Sequence, residues 1–375
     1  MSGPGDDRVL RFGDNHAPRA TVVVTAWKGA PYLFDCLASL HDTAPAVPFE
    51  LFVSANEPTA ELCERLDRLL AGATVISSPL NLGFAGAVNR AAARAVGEYL
   101  VLLNDDAVVE PGWLEALVTA ADADPVAGAV GGRILSPDGS SREDGTVLWS
   151  DGSVTLLDAY YRPVPEPPPG PRRVDHCSAV SLLVRRSVWE QVGGFDEGYF
   201  PAYHEDVDLA LKIHALGRTV LYQPASTVRH RQGASASLRY RRFLLRRNTA
   251  RLRARWSDAL GERPPPDPHN PAALSSALRL AEERAPAVTL GPAVPDETPP
   301  PAPDHERYYL AKQRDVNDAY AQALEAELDT RDNTAAHRLS RWVRTLVKTA
   351  LRRVPWVYRA LARRRRRPGK IAKER

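Results

Sequence analysis

The run Tyr99-Leu-Val-Leu-Leu-Asn-Asp-Asp106 turns from apolar to polar at a single step, between Leu103 and Asn104. Five apolar residues in a row suit a strand buried on both faces, and Asn-Asp-Asp is good turn chemistry. Upstream, short apolar runs alternate with helical patterns. Ala20–Thr25 reads as a strand, Pro31–Leu40 as a helix opened by proline, and Phe49–Val53 as a second strand. Thr59–Leu70 is a helix with Leu62, Leu66, Leu69 and Leu70 on its apolar positions, Thr74–Ile76 a third strand and Ala85–Val96 a helix. Repeated β-α-β-α order predicts an α/β domain, a mostly parallel sheet flanked by helices on both faces. Such sheets bind ligands at the carboxyl ends of their strands, which is where Asn104-Asp105-Asp106 falls. Paired acids there suit a divalent cation, Mg²⁺ or Mn²⁺, carrying a nucleoside diphosphate, although a plain turn has the same composition.

Composition narrows the remaining classes. The 375 residues are 44% hydrophobic, enough for a folded core and incompatible with a wholly disordered chain. No stretch approaches the roughly 18 uncharged apolar residues of a membrane span, and Met1–Asp7 lacks the apolar run of a signal peptide. Cys36, Cys63 and Cys177 have neither disulfide-framework nor zinc spacing and read as reduced thiols of a cytoplasmic protein. The net charge of +3 hides an asymmetry: 338–375 holds 15 Lys and Arg against one acid, leaving 34 against 45 in the first 337 residues. Proline clusters at Pro163–Pro171, Pro264–Pro271 and Pro286–Pro303 suggest one surface excursion and one semi-extended linker. The organisation expected is an N-terminal tail (1–19), a domain (20–258), a Pro/Ala-rich linker (259–303), a helical segment (304–337) and a basic tail (338–375).

Four blocks in fixed order resemble the family 2 glycosyltransferases, and most closely their rhamnosyltransferase branch. They are Asn81-Leu-Gly-Phe-Ala-Gly-Ala-Val-Asn89 with Leu102–Leu114, then Gly193-Gly-Phe-Asp-Glu197, then Tyr203-His-Glu-Asp-Val-Asp-Leu209, then Gly217, Pro224 and His230. The resemblance spans about Ala20 to Trp256 and implies the GT-A fold, a nucleotide-sugar donor and a divalent metal. It implies that Asp106 and His230 hold the metal, that Asn104 and Asp105 support the diphosphate or sugar, and that Asp206 of the Glu205-Asp206 pair is the catalytic base. Gly194, Phe195, Asp196 and Glu205 are expected on the acceptor side. Asp208 reads instead as an acid in the first turn of a helix.

The chain departs from the family where the nucleobase should sit. Thr25-Ala26-Trp27 replaces a Thr-x-Asn-like end of the first strand, and Val53-Ser54-Ala55-Asn56 replaces an Asp-Asn end of the second. Thr25, Trp27, Ser54, Asn56, Asn81 and Gly83 are the expected donor-pocket residues, with Trp27 stacking on the base. The branch favours a dTDP-sugar, then a UDP-sugar, and a cell-surface glycan or lipid-linked acceptor. Arg239–Arg255, with eight arginines, reads as a helix with a solvated basic face. In the tail, Leu339, Trp342, Val343, Leu346, Val347, Ala350, Leu351 and Val354 form one helical face amid basic residues. Such a segment suits an anionic membrane surface, which would place the protein peripherally at the inner face of the membrane, or else packs on the acidic surface of the domain; nucleic acid is not expected. A catalytically inactive scaffold of the same fold is the alternative, and a nucleotidyltransferase would need a Gly-rich basic loop that Thr25–Tyr32 lacks.

Overall fold

The apolar runs of the first hundred residues become a parallel sheet because their alternate side chains are buried on opposite faces. In the computed structural model, which describes residues 8–13, 17–139, 141–156, 170–231, 237–289, 291–292, 294–300 and 304–331, this half consists of β1 (Leu10–Arg11), β2 (Ala20–Trp27), α1 (Leu33–Thr43), β3 (Phe49–Asn56), α2 (Ala60–Leu69), β4 (Leu70–Ala71), β5 (Thr74–Ser78), α3 (Gly83–Ala92) and β6 (Tyr99–Asn104). Val22 and Val24 of β2 join Val101 and Leu103 of β6 beneath Leu33, Leu37 and Leu40 of α1 and Leu62 and Leu66 of α2. Val23, Phe52, Leu100 and Leu102 point the other way, onto Ala85, Val88 and Ala91 of α3. Each fully buried leucine stabilises the fold by about 2 kcal/mol. Thr59 caps α2 by accepting the Leu62 amide at 3.2 Å.

The second half is β7 (Ala107–Val109), α4 (Trp113–Ala123), β8 (Ala127–Leu135), β9 (Ser141–Glu143), β10 (Thr146–Leu148), β11 (Val154–Leu156), β12 (Arg172–Val174), β13 (Ser181–Arg185), α5 (Arg186–Val192), α6 (Glu205–Ala215), β14 (Thr219–His230), α7 (Leu238–Arg255), α8 (Ser257–Gly261), α9 (Pro271–Glu283) and α10 (His305–Arg331). The main sheet runs β12-β14-β8-β13-β6-β2-β3-β5, with β7 added to β14 and β9 to β8. From β2 the chain steps outward to β3 and β5, then returns to the other side of β2 with β6, so the strand order reverses between β2 and β6. That reversal opens a crevice at the carboxyl ends of these two strands. β13 is antiparallel to both β6 and β8, so the residues entering β13 reach the same edge.

Two features aim side chains at that edge. In β14 the pairing with β8 jumps from Gln223↔Gly132 to Thr227↔Arg133, and the bulge, which contains Pro224, turns the last residues of β14 onto β7. His230 thereby pairs with Ala107, beside Asp106. At the start of α6, Tyr203 and His204 take φ of 80° and 74°, conformations that cost side chains about 1–3 kcal/mol unless neighbours enforce them.

The domain extends beyond both expected limits. β1 pairs with β4, so residues 8–13 belong to it. The first compact unit ends at Tyr309, and the second, beginning at Leu310, is described here only through α10. The stretch expected to be a linker carries α9, whose Leu274, Ala277 and Leu278 pack on Val147 and Trp149. Its prolines include the helix's first residue, Pro271, after an Asn270 cap. The basic tail, 338–375, lies outside the described residues.

Candidate active site

Thr25, Ser54 and Asn104 form one row across the sheet, since Thr25 pairs with Ser54 on one side and Asn104 on the other. Beyond this row the chain turns through Asp105 and Asp106 into β7. The Asp106 Oδ1 lies 2.9 Å from His230 Nε2, and the Asp106 carbonyl accepts the Arg231 amide at 3.1 Å. Burial, together with the charge of Asp106, pushes the Asp105 carboxyl up to about 7, with backbone hydrogen bonds from Asp105 and Trp27 opposing.

The second carboxylate centre is built where the chain enters β13 and α6. The Val180 carbonyl accepts the Asn104 amide at 3.0 Å, while the neighbouring Ala179 amide donates to Asp206 Oδ2 at 3.2 Å. One short segment thus joins the end of β6 to the start of α6. Asp206 Oδ1 accepts the Val207 amide at 2.9 Å, and His176 Nε2 lies 3.5 Å from Asp206 Oδ2. Burial alone would raise the Asp206 carboxyl. The charge and hydrogen bonding of His176, with the Ala179 amide, outweigh it and hold Asp206 below the usual carboxylate range. Glu205 beside it is buried and raised well above its ordinary value by burial and by the Asp206 charge. Its Oε2 has no hydrogen-bond partner. The two carboxyls of the pair are thus pushed in opposite directions.

Glu143 of β9 lies within electrostatic reach of both centres. It accepts the Ser178 amide at 3.0 Å, and burial pushes it up to about 7 against the opposing charges of His176 and His230. The loop before α6 is tied to α7. The Asn248 amide donates to the carbonyls of Tyr199, Ala202 and Tyr203 at 3.3, 2.9 and 2.7 Å, and Thr249 Oγ1 lies 3.0 Å from His204 Nε2.

The expected residues divide into those that reach this edge and those that hold it up. Asn104, Asp105, Asp106, Glu205, Asp206 and His230 converge on it. Trp27 and Thr25 border it; the Trp27 indole donates to Glu57 at 3.2 Å, and Lys28 Nζ sits 4.7 Å from its ring centre. Ser54 and Asn56 are buried and already engaged. Ser54 donates to the Ala87 carbonyl at 3.0 Å, and Asn56 accepts the Leu82 amide at 2.8 Å and donates to Asn81 at 3.2 Å. With Asn81 accepting the Gly83 amide at 2.9 Å, these residues fasten the start of α3. Gly83, at φ 68°, is needed because a Cβ there would meet Phe200 and the Pro201 carbonyl.

Gly194, Phe195 and Asp196 lie in the interior. The Gly194 amide closes the end of α5 on the Trp189 carbonyl, Phe195 is wholly buried, and Asp196 pairs with Arg251 at 2.8 Å and Arg255 at 3.4 Å. Asp208 pairs with the same Arg255 at 2.8 Å. Asp196, Asp208 and Asp296 are the group of three acids close enough to share an ion among the described residues. Arg255 and Lys212 already neutralise them: Asp296 takes Arg255 at 2.6 Å and Lys212 at 2.8 Å. His176, Glu143 and Asn248 were not among the expected residues. The antiparallel direction of β13, which brings His176 to this edge, leaves no local signal in the sequence.

The profile of Glycosyl transferase family 2 matches residues 21–182, which contain the mixed sheet's parallel half and the carboxylates at its switch point. The chain belongs to this family and resembles its rhamnosyltransferases. It is 32% identical over 239 residues to the N-acetylglucosaminyl-diphospho-decaprenol L-rhamnosyltransferase of Mycobacterium tuberculosis, an alignment covering 57% of this chain and 76% of that protein. It is 31% identical over 244 residues to the O-antigen biosynthesis protein RfbC of Myxococcus xanthus, covering 60% of this chain and 18% of that protein. Among solved structures, GalNAc-T7 with UDP, GalNAc and Mn²⁺ aligns with a TM-score of 0.49 at 19% identity, covering 66% of this chain and 50% of that one. Family membership and the observed sheet agree with the expected GT-A fold. No helix among the described residues is long and apolar enough to cross a membrane.

Proposed function

We propose that this glycosyltransferase moves a sugar, rhamnose in the first instance, from a nucleoside diphosphate donor to a lipid-linked glycan acceptor with inversion. The observation that carries this reading is the pairing of two centres on one sheet edge: Asp106 with His230 at 2.9 Å, and Asp206 held by the Ala179 amide at 3.2 Å with His176 3.5 Å away. The acceptor hydroxyl attacks the anomeric carbon, Asp206 takes its proton, and the bond from that carbon to the donor phosphate breaks with its electron pair leaving on the nucleoside diphosphate. Attack opposite the leaving group inverts the centre, as with the base of an inverting glycosidase. Asn104 and Asp105 would orient the donor, and Thr25 and Trp27 border the space for its base.

The donor set fits a divalent metal. Asp106 and His230 offer one carboxylate oxygen and one imidazole nitrogen side by side, donors that a divalent cation accepts. Mg²⁺ or Mn²⁺ held by Asp106 and His230 would stabilise the charge on the departing diphosphate. The M. tuberculosis relative is named for a decaprenol-linked substrate. The basic 338–375 segment supports a peripheral place at an anionic inner membrane surface, where such an acceptor would lie.

The test is a thermal-shift panel of dTDP, UDP, GDP and ADP with and without Mn²⁺, followed by product analysis. One diphosphate should stabilise the protein only with metal, by about 2.7 kcal/mol at a hundred times its dissociation constant. Asp106→Ala should abolish that metal-dependent gain. Asp206→Asn should retain it yet lower turnover by about a hundredfold or more. Near-normal turnover in Asp206→Asn would refute the base assignment, and a panel without response would favour a non-catalytic scaffold.

A further inference from the structure

We propose that His176 is a positioning residue of this enzyme, a buried imidazolium that fixes and holds anionic the carboxylate assigned above as the catalytic base; the inference rests on that assignment. The contacts of His176 suit a doubly protonated ring. The Thr146 hydroxyl donates to the His176 carbonyl at 2.5 Å, so its one hydrogen is used. The same oxygen lies 2.7 Å from His176 Nδ1, and with its hydrogen on the carbonyl it is placed to accept from an Nδ1–H, the arrangement the proposal takes. Nε2, buried and without a hydrogen-bond partner of normal length, then faces Asp206 Oδ2 at 3.5 Å. A lone pair pointed at a carboxylate is repulsive, whereas a second N–H makes an ion pair.

The surroundings agree with the charged form. The charges of Asp206 on α6, Glu143 on β9 and Asp175 on the adjoining segment favour a charged ring, and His204 ahead of α6 is the neighbouring imidazole. Burial opposes the charge, but these acids outweigh it and raise His176 above its ordinary value. Thr146 fixes the ring plane from a hairpin strand, and the Ala179 amide fixes the other side of Asp206 Oδ2. The base is thus gripped by one backbone donor and one cation, with Oδ1 turned back on its own helix. A base without this cation would take up a proton at higher pH and lose its preferred rotamer.

The experiment combines an imidazole NMR titration of the full-length protein with pH profiles of turnover. The His176 resonance, assigned by its loss in His176→Gln, should titrate above the ordinary 6.5, and Asp206→Asn should lower its midpoint by about one pH unit. The acid limb of kcat in His176→Gln should move up by about one unit, with lowered kcat and an unchanged donor KM. His176→Phe should fall further, because it also loses the donor. A His176 midpoint identical in wild type and Asp206→Asn, or a His176→Gln acid limb superimposed on that of wild type, would overturn the proposal. Failure of the base assignment reads differently: Asp206→Asn would then stay active while the imidazole midpoint still shifted. Should His176→Phe not fold, His176→Gln and the wild-type titration decide alone.

Discussion

Asn248 shows how one side chain can set the geometry of a whole loop. Its amide nitrogen meets three carbonyls of the segment leading to Asp206, and Tyr203 and His204 hold left-handed backbone only under such constraint. Asn248→Ala would strand those carbonyls, so unfolding should become easier by about 1–3 kcal/mol in urea titrations. Turnover should fall while donor KM stays near wild type, because the donor side of the crevice is untouched. Glu143 makes a pH-dependent prediction. Its native value of about 7 lies above the ordinary 4.5, so the folded state binds the extra proton between those values, and stability declines as pH rises through that window. Glu143→Gln should flatten that decline, giving a smaller fall in Tm between pH 5 and pH 8. A decline as steep as wild type would count against the buried neutral carboxyl.

Among the elements, α7 is the one whose role differs most from its composition. Eight arginines suggest a solvated helix, yet Leu244, Asn248, Leu252 and Arg255 are buried along one side. Arg255 is wholly buried and bridges Asp196, Asp208 and Asp296. Arg255→Met should cost about 3–5 kcal/mol by equilibrium unfolding, since it leaves buried carboxylates without their cation. The strands that build the crevice were legible in the sequence. β2, β3, β5 and β6 are β-branched or leucine-rich runs closed by polar turns, and Asn104–Asp106 and Asp206 could be located from them and from the family blocks. The short strands β9, β10 and β12 were not legible. Their two or three paired residues carry no periodicity, and their place depends on antiparallel partners far away in sequence. For the same reason Glu143 and Thr146 were not seen as neighbours of Asp206, and the dense prolines around Pro271 concealed α9.

For the whole molecule, the sequence gradient of charge and the extent of the fold suggest a division of labour. The first compact unit, ending at Tyr309, contains every residue assigned to the two centres. A chain ending at Arg331 should keep the metal-dependent thermal shift with its donor nucleotide. It should lose sedimentation with vesicles containing about one third anionic phospholipid, which the full chain should show. Equal sedimentation of the two forms would remove the tail from membrane binding. Arg263 and Arg284 both pair with Asp175, so a chain cut after Trp256 should instead be insoluble.

The buried seam of Asp196, Asp208 and Asp296 against Arg251, Arg255 and Lys212 also bears on how the enzyme tolerates its medium. Mobile ions screen charges that water reaches, over about 10 Å at 0.1 M salt, and have little access to charges sealed inside. Surface attraction between a basic tail and lipid should therefore fade as salt is added, while the seam that clamps α6 to α7 keeps its strength. Ionic strength would then act as a selective release agent for the lipid contact proposed for the tail, without loosening the ion pairs that hold α6 to α7.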